Sequence, residues 1–131
     1  MYFIIYSSYS ALTFNDEDIN SLLHQSRERN QKLGVTGMLL FFDEKFIQLI
    51  EGNKSEVKML YHNILEDSRH RNVVILKQGD IDDRFFPHWS MGFKTVSIAN
   101  MASLQVDKEL DFHDYFNKSS ALELLKILAK E

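Results

Sequence analysis

Two apolar runs separated by three polar residues constrain this chain more than any other feature. Residues 35–42 (VTGMLLFF) are almost wholly apolar, and 46–51 (FIQLIE) follow after Asp43-Glu44-Lys45. Short apolar runs joined by a tight polar turn predict a buried strand and its returning partner. On either side lies a segment with helical periodicity. Upstream, Asn15-Asp16-Glu17-Asp18 after Thr13 offers a capped, acid-rich start. Ile19, Leu22, Leu23, Ser26 and Asn30 then share one stripe, and Gly34 supplies the stop. Downstream, Gly52-Asn53 breaks the second strand. Val57, Leu60, Tyr61, Ile64 and Leu65 mark another helix, ending near Ser68.

The remaining strands complete a sheet. Residues 2–8 place Tyr2, Ile4 and Tyr6 on one face and Phe3, Ile5 and Ser7 on the other; 73–78 (VVILKQ) make a fourth strand. Asp80 to His88 is a polar connection with the sole proline, Pro87, and a fifth strand is predicted from about Trp89 to Val96. The order βαββαββ, two helices around a hairpin, predicts an α+β sandwich of the ferredoxin-like type with both helices on one sheet face. A chain of 131 residues is one domain's worth of protein. The core is assigned to residues 1–97 and a C-terminal helical extension to 98–131. In the extension Ala121, Leu122, Leu125 and Leu128 form an apolar stripe that needs cover, from the sheet or from a second subunit.

Composition removes several function classes. With no cysteine there is no disulfide, zinc-thiolate site, thiol nucleophile or cysteine–flavin adduct, which suits a cytoplasmic protein. The start, MYFIIYSSYS, has no basic leader and too short an apolar run for a signal peptide or membrane span. Net charge is −4 and the basic residues are scattered, so nucleic acid is not an expected partner. His24, His62, His70, His88 and His113 lack metal-ligand spacing, and no metal is expected.

The informative residues are polar ones on inward faces. Gln48 lies between Phe46 and Ile50 on one side of its strand, and Asn30 and Ser26 extend an apolar helix stripe. Each has a structural reading beside a functional one. Gln48 can be an edge or water-satisfied amide, Asn30 a helix-terminal residue before glycine, and Ser26 a neutral helix position. Tyr6, Trp89 and Met91 can be plain core. In a two-helix sandwich, Asn30, Gln48 and Tyr6 can also converge on the groove between the helices. A planar heteroaromatic with a hydrogen-bonding edge fits such a slot.

Five stretches then carry a family pattern in register. They are Ile4-Ile5-Tyr6-Ser7-Ser8; Arg29-Asn30 with Gly34-Val35-Thr36-Gly37-Met38-Leu39-Leu40; Phe46-Ile47-Gln48-Leu49-Ile50-Glu51-Gly52; Asp67-Ser68-Arg69-His70; and Trp89-Ser90-Met91. The sequence resembles the BLUF family, sensors of blue light using FAD, in its short stand-alone form. The resemblance implies FAD bound non-covalently between the helices, with Asn30 at the polar edge of the isoalloxazine. It further implies Arg69 and His70 at the pyrimidine side or ribityl chain, Ile64 against a ring face, and Ser26 and Met91 around Gln48. Arg29 stands where the family often has Asn or His.

The implied function is that of a photoreceptor and not an enzyme. Light-driven electron and proton transfer between Tyr6 and the flavin rearranges the hydrogen bonds of Gln48, and Trp89 and Met91 are the next links. The tail is too short for a cyclase or phosphodiesterase, so the signal is expected to leave through an unidentified partner protein or a change in a homo-oligomer. A hydrolase on the same sandwich, such as one like acylphosphatase, needs an arginine-bearing phosphate cradle. The loop from Ser8 to Asn15 holds no Arg, Lys or Gly. The alternative is a light-insensitive ferredoxin-like interaction module, in which Gln48 and Asn30 are only structural.

Overall fold

Alternation in the first ten residues produces the strand on which the sheet is built. The computed structural model of the chain describes residues 1–10, 16–42 and 45–95. Within them β1 (Tyr2–Ser10), α1 (Asp16–Leu33), β2 (Thr36–Phe42), β3 (Lys45–Gly52), α2 (Lys54–Glu66), β4 (His70–Asp80) and β5 (Gly92–Thr95) follow in order. The sheet order is β4-β1-β3-β2-β5. β1 pairs antiparallel with both β3 and β4, β2 antiparallel with β3, and β5 parallel with β2. Each helix therefore connects two parallel strands that lie either side of a third, which is the ferredoxin-like arrangement predicted above.

Both helices cover one face. Ile19, Leu22 and Leu23 of α1 and Val57, Leu60, Tyr61 and Ile64 of α2 pack on Tyr2, Ile4, Tyr6, Leu39, Phe46 and Ile50. Each of these large apolar side chains contributes about 1.5–3 kcal/mol when fully removed from water. The opposite face is buried too: Ile5, Met38, Leu40, Ile47 and Leu49 have no exposed surface. That explains why the hairpin strands read as continuous apolar runs instead of alternating.

Local chemistry sets the element ends. Gly34, at φ 68°, closes α1 in a left-handed turn. Its N–H donates to Gln31 O (3.4 Å) and that of Val35 to Asn30 O (2.9 Å), the paired bonds of a Schellman cap. Asn53 caps α2, its side chain accepting from Ser55 N (3.1 Å). Asn72 in β4 has φ 53°, a left-handed conformation that asparagine tolerates, beside the register shift between Ser7 and Tyr9.

Several boundaries differ from the sequence reading. β5 does not begin at Trp89. Phe86-Pro87-His88-Trp89 form a turn, with Trp89 N donating to Phe86 O (3.2 Å), and pairing with β2 starts only at Gly92 opposite Met38. Proline at the second position favours that turn and cannot extend a ladder. β4 is longer than 73–78, because backbone pairing with β1 continues through polar Arg71 and His70. Leu65 is 49% exposed, since it falls past the edge of the buried stripe ending at Ile64. The proposed Asn15 cap, the Asp43-Glu44 turn and the extension 98–131 lie outside the described residues.

Candidate functional site

Tyr6 and Gln48 face one another directly across the β1–β3 ladder. Each is central in its strand, so both side chains are held by backbone pairing on two sides. Tyr6 has no exposed surface and Gln48 only 5%. The Tyr6 hydroxyl donates to Gln48 Oε1, and Gln48 Nε2 donates to Met91 Sδ at 3.3 Å. A primary amide has two donors and an acceptor with two lone pairs. One N–H and one lone pair of Gln48 thus remain for a further partner.

That partner space is a cleft over the pair. Tyr6, Leu22, Ser26, Arg29, Leu39, Gln48, Ile64, Asp67, Arg69 and His70 line it, and it is partly open to solvent. Small-molecule sites have apolar walls and a few precisely placed polar groups. Here Leu22 on α1, Ile64 on α2 and Leu39 on β2 make the walls. Asp67 and Arg69, just past α2, close one end. Arg69 pairs with the Asp67 carboxylate (2.7 Å) and reaches Gln25 on α1 (3.2 Å), bridging the two helices.

The electrostatics are those of a dry pocket. Burial pushes the Tyr6 phenol well above its ordinary value of 10.0, only partly opposed by the Arg29 charge. It therefore stays protonated and able to donate. His70 is pulled below 6.5 by burial, with Asp67 working against that shift. Its Nδ1 meets Ser8 Oγ at 2.9 Å, and its ring packs edge-on against Phe46 and Tyr6. Burial likewise lowers Arg29, with Tyr6 opposing. The side-chain hydrogen bond from Arg69 holds Asp67 below the usual carboxylate range.

A segment from the far side of the sheet completes the site. Three successive carbonyls are held: Trp89 O accepts from Gly37 N (3.0 Å), Ser90 O from Asn30 Nδ2 (2.8 Å), and Met91 O from Arg27 Nε (3.0 Å). Met91 is buried and points at Gln48. Trp89 points the other way: a Cβ on Gly92 would meet its indole at 2.2 Å and Met38 Sδ at 2.8 Å, on the face away from the cleft. The indole stacks on Phe86 (5.8 Å between centroids, 10° between planes).

Of the residues singled out in the sequence, the cleft brings together Tyr6, Gln48, Ser26, Ile64, Arg69 and His70. Asn30 is fully buried beside it and spends its amide N–H on Ser90. Trp89 is in the loop before β5 and not on the strand. Sequence reasoning assigned no role to Asp67, Arg27 or Gly37. Asp67 and Gly37 stand inside the quoted family stretches, whereas nothing in the pattern around Arg27 marks it.

Among the described residues three buried polar side-chain atoms have no hydrogen-bond partner: Asn30 Oδ1 and Arg29 Nε on α1, and Glu56 Oε2 in the first turn of α2. An unpaired buried polar atom costs about 1–3 kcal/mol, so such atoms at a cleft mark a place where a ligand completes the bonding. Apolar walls, an amide rim and the two α1 atoms fit a flavin ring. Among the described residues no group of three metal-ligating side chains occurs, and no helix is long and apolar enough to cross a membrane.

A buried phenol–amide pair beneath a cleft between two helices is the central polar feature of this α+β domain. Residues 1–92 match the family of sensors of blue-light using FAD, BLUF, and the chain belongs to it. FAD is the cofactor that defines this family. The chain is similar to BlrB, a BLUF protein in its dark state, at 32% identity and TM-score 0.82, covering 98% of this chain and 95% of that one. It is also similar to BlsA in the photo-activated state (25% identity, TM-score 0.78, 98% and 92% covered). Photoactivated adenylate cyclase subunit beta of Euglena longa is 30% identical over 89 residues, 67% of this chain. The blue light- and temperature-regulated antirepressor BluF of Escherichia coli (strain K12) is 43% identical over 58 residues, 44% of this chain. The chain spans only 10% and 14% of the length of these two relatives.

Proposed function

We propose that light sensing in this chain works through Tyr6 and Gln48, with FAD held by the cleft residues above them. The observation that carries this reading is the buried Tyr6 hydroxyl donating to Gln48 Oε1 at the cleft floor. Asn30 and Gln48 would hold a bound flavin through their amides, Ser26 and Arg29 from the α1 side, and Ile64 through apolar contact. Arg69 and His70, with Asp67, hold the end near the α2 terminus. Bound FAD absorbs blue light and, when excited, accepts an electron from a neighbouring donor.

Tyr6 is that donor. A neutral phenol that loses an electron becomes strongly acidic, and its proton leaves along the bond already aimed at Gln48. Rotation or tautomerisation of the Gln48 amide then exchanges donor and acceptor faces. Its bond to Met91 Sδ and its free N–H both change direction. Each such bond is worth ~1 kcal/mol net, enough to bias a two-state element and not to drive a large motion. Met91 and the Trp89 loop receive the change, and a partner protein or altered self-assembly carries it onward, the extension 98–131 serving as the output face.

The purified protein is expected to be yellow, and blue light to shift its absorption slightly to the red, reverting in darkness. A protein that stays colourless after FAD is added contradicts the cofactor assignment.

A further inference from the structure

The segment that brings Met91 to Gln48 is anchored at its other end by a residue outside the cleft. Glu51 lies three positions after Gln48 on β3, and alternation puts it on the opposite face, paired with Phe3 and Thr36. It has no exposed surface, although isolated buried carboxylates are costly. Its donors explain that burial. Oε1 accepts from Phe85 N (2.7 Å), and Oε2 from Phe86 N (2.8 Å) and Thr36 Oγ1 (2.8 Å). Arg84 adds bonds to Thr36 Oγ1 (2.9 Å), Glu51 O (3.4 Å) and Gly34 O (2.7 Å). Phe85 then packs edge-on against Phe3 (5.4 Å).

Residues 84–91 therefore form a strap tied at one end to Glu51 on β3 and at the other to α1, β2 and Gln48. At one end Glu51 holds two consecutive backbone N–H groups. At the other, Gly37, Asn30 and Arg27 hold three consecutive carbonyls, and Met91 Sδ meets Gln48. Between them lies only the Phe86–Trp89 turn, whose two rings stack. With so short a span, the place of the first end decides the reach of the second.

We propose that Glu51 is a positioning residue for the photoswitch: by fixing Phe85 and Phe86 from the far face of the sheet, it sets where Met91 stands against Gln48. In its photochemical consequence this rests on the Tyr6–Gln48 reading; the positional part stands without it. All three donors need acceptor oxygens, and an amide supplies one oxygen and an –NH2 that opposes an N–H. Glu51→Gln thus keeps the volume and loses the anchor.

Trp89 is the only tryptophan and reports the strap directly. In the full chain kept dark, Glu51→Gln is expected to red-shift Trp89 emission. It should also raise exchange of the Gly37 amide, bonded to Trp89 O, by roughly tenfold, as loss of a charge-assisted bond implies. Under illumination, recovery in darkness changes by about tenfold, the factor that one such bond is worth, with the flavin still bound. Faster exchange confined to Phe85 and Phe86, with Gly37, Trp89 emission and recovery unmoved, overturns the proposal. If Glu51→Gln does not fold, Glu51→Asp carries the same test: it keeps the carboxylate but draws its oxygens one methylene back from Phe85 N and Phe86 N. Unchanged Gly37 exchange and Trp89 emission there also overturn it. A wild-type protein without a photocycle refutes the Tyr6–Gln48 reading, while the dark measurements still decide the anchor.

Discussion

Tyr6 combines two properties that seldom coincide, complete burial and a hydroxyl with a single defined acceptor. Because burial raises its pKa above 10.0, the phenol is neutral wherever the protein is folded. An alkaline absorbance titration follows at this scale. At about pH 11 exposed tyrosines have ionised. Wild type and Tyr6→Phe are expected to show equal phenolate absorbance while both remain folded; one extra titrating tyrosine in wild type contradicts the assignment. In the sequence Tyr6 looked like core and Gln48 like an edge amide, each with an ordinary explanation. Periodicity could show that Gln48 interrupts an inward row, but only strand register puts it opposite Tyr6. Glu51 illustrates the converse. Its alternation marks the other face, yet its donors come from a loop 34 and 35 residues away, which no local pattern reports.

At the level of elements, the strap depends on how closely β2 and β3 approach. A Cβ on Gly37 would lie 1.9 Å from Leu49 O and 3.3 Å from Met91 Cε. Gly37→Ala is therefore expected to destabilise by about 1–3 kcal/mol through overpacking, and to disturb the Met91–Gln48 contact. Asn53→Ala, which removes the α2 cap, costs ~1 kcal/mol and leaves that contact alone. Chemical denaturation checks both, and a Gly37→Ala protein as stable as wild type contradicts the close approach. Hairpin and helices were legible because their burial is written as periodicity in their own residues. β4 and β5 were less so. His70 and Arg71 belong to β4 only because β1 pairs with them, and β5 starts late because Pro87 turns the chain first.

For the molecule as a whole, acid stability is where the pocket's charges show. His70 is held below its ordinary value of 6.5, chiefly by burial. As pH falls below about 6.5 the unfolded chain takes up a proton that the folded chain refuses, so stability drops until the folded pKa is passed. Asp67 acts in the same direction at lower pH: its depressed pKa gives stability above the ordinary value of 3.8, lost as pH falls through the folded one. His70→Gln should flatten the first part of the decline and leave the second. Thermal midpoints of the two proteins over that range check this, and parallel curves contradict it. Charges scattered over the chain could not have revealed this, since the shifts arise from packing between α1, α2 and β4.

The central claim is that Gln48 converts a light-driven change at Tyr6 into a change of hydrogen bonding. Its most direct test is the illuminated-minus-dark absorption spectrum of Gln48→Leu with flavin bound. Leucine keeps the apolar bulk of the cleft floor and removes every amide donor and acceptor. A yellow protein with no red-shifted difference signal under blue light is expected. A Gln48→Leu protein whose difference spectrum matches the wild type would contradict it.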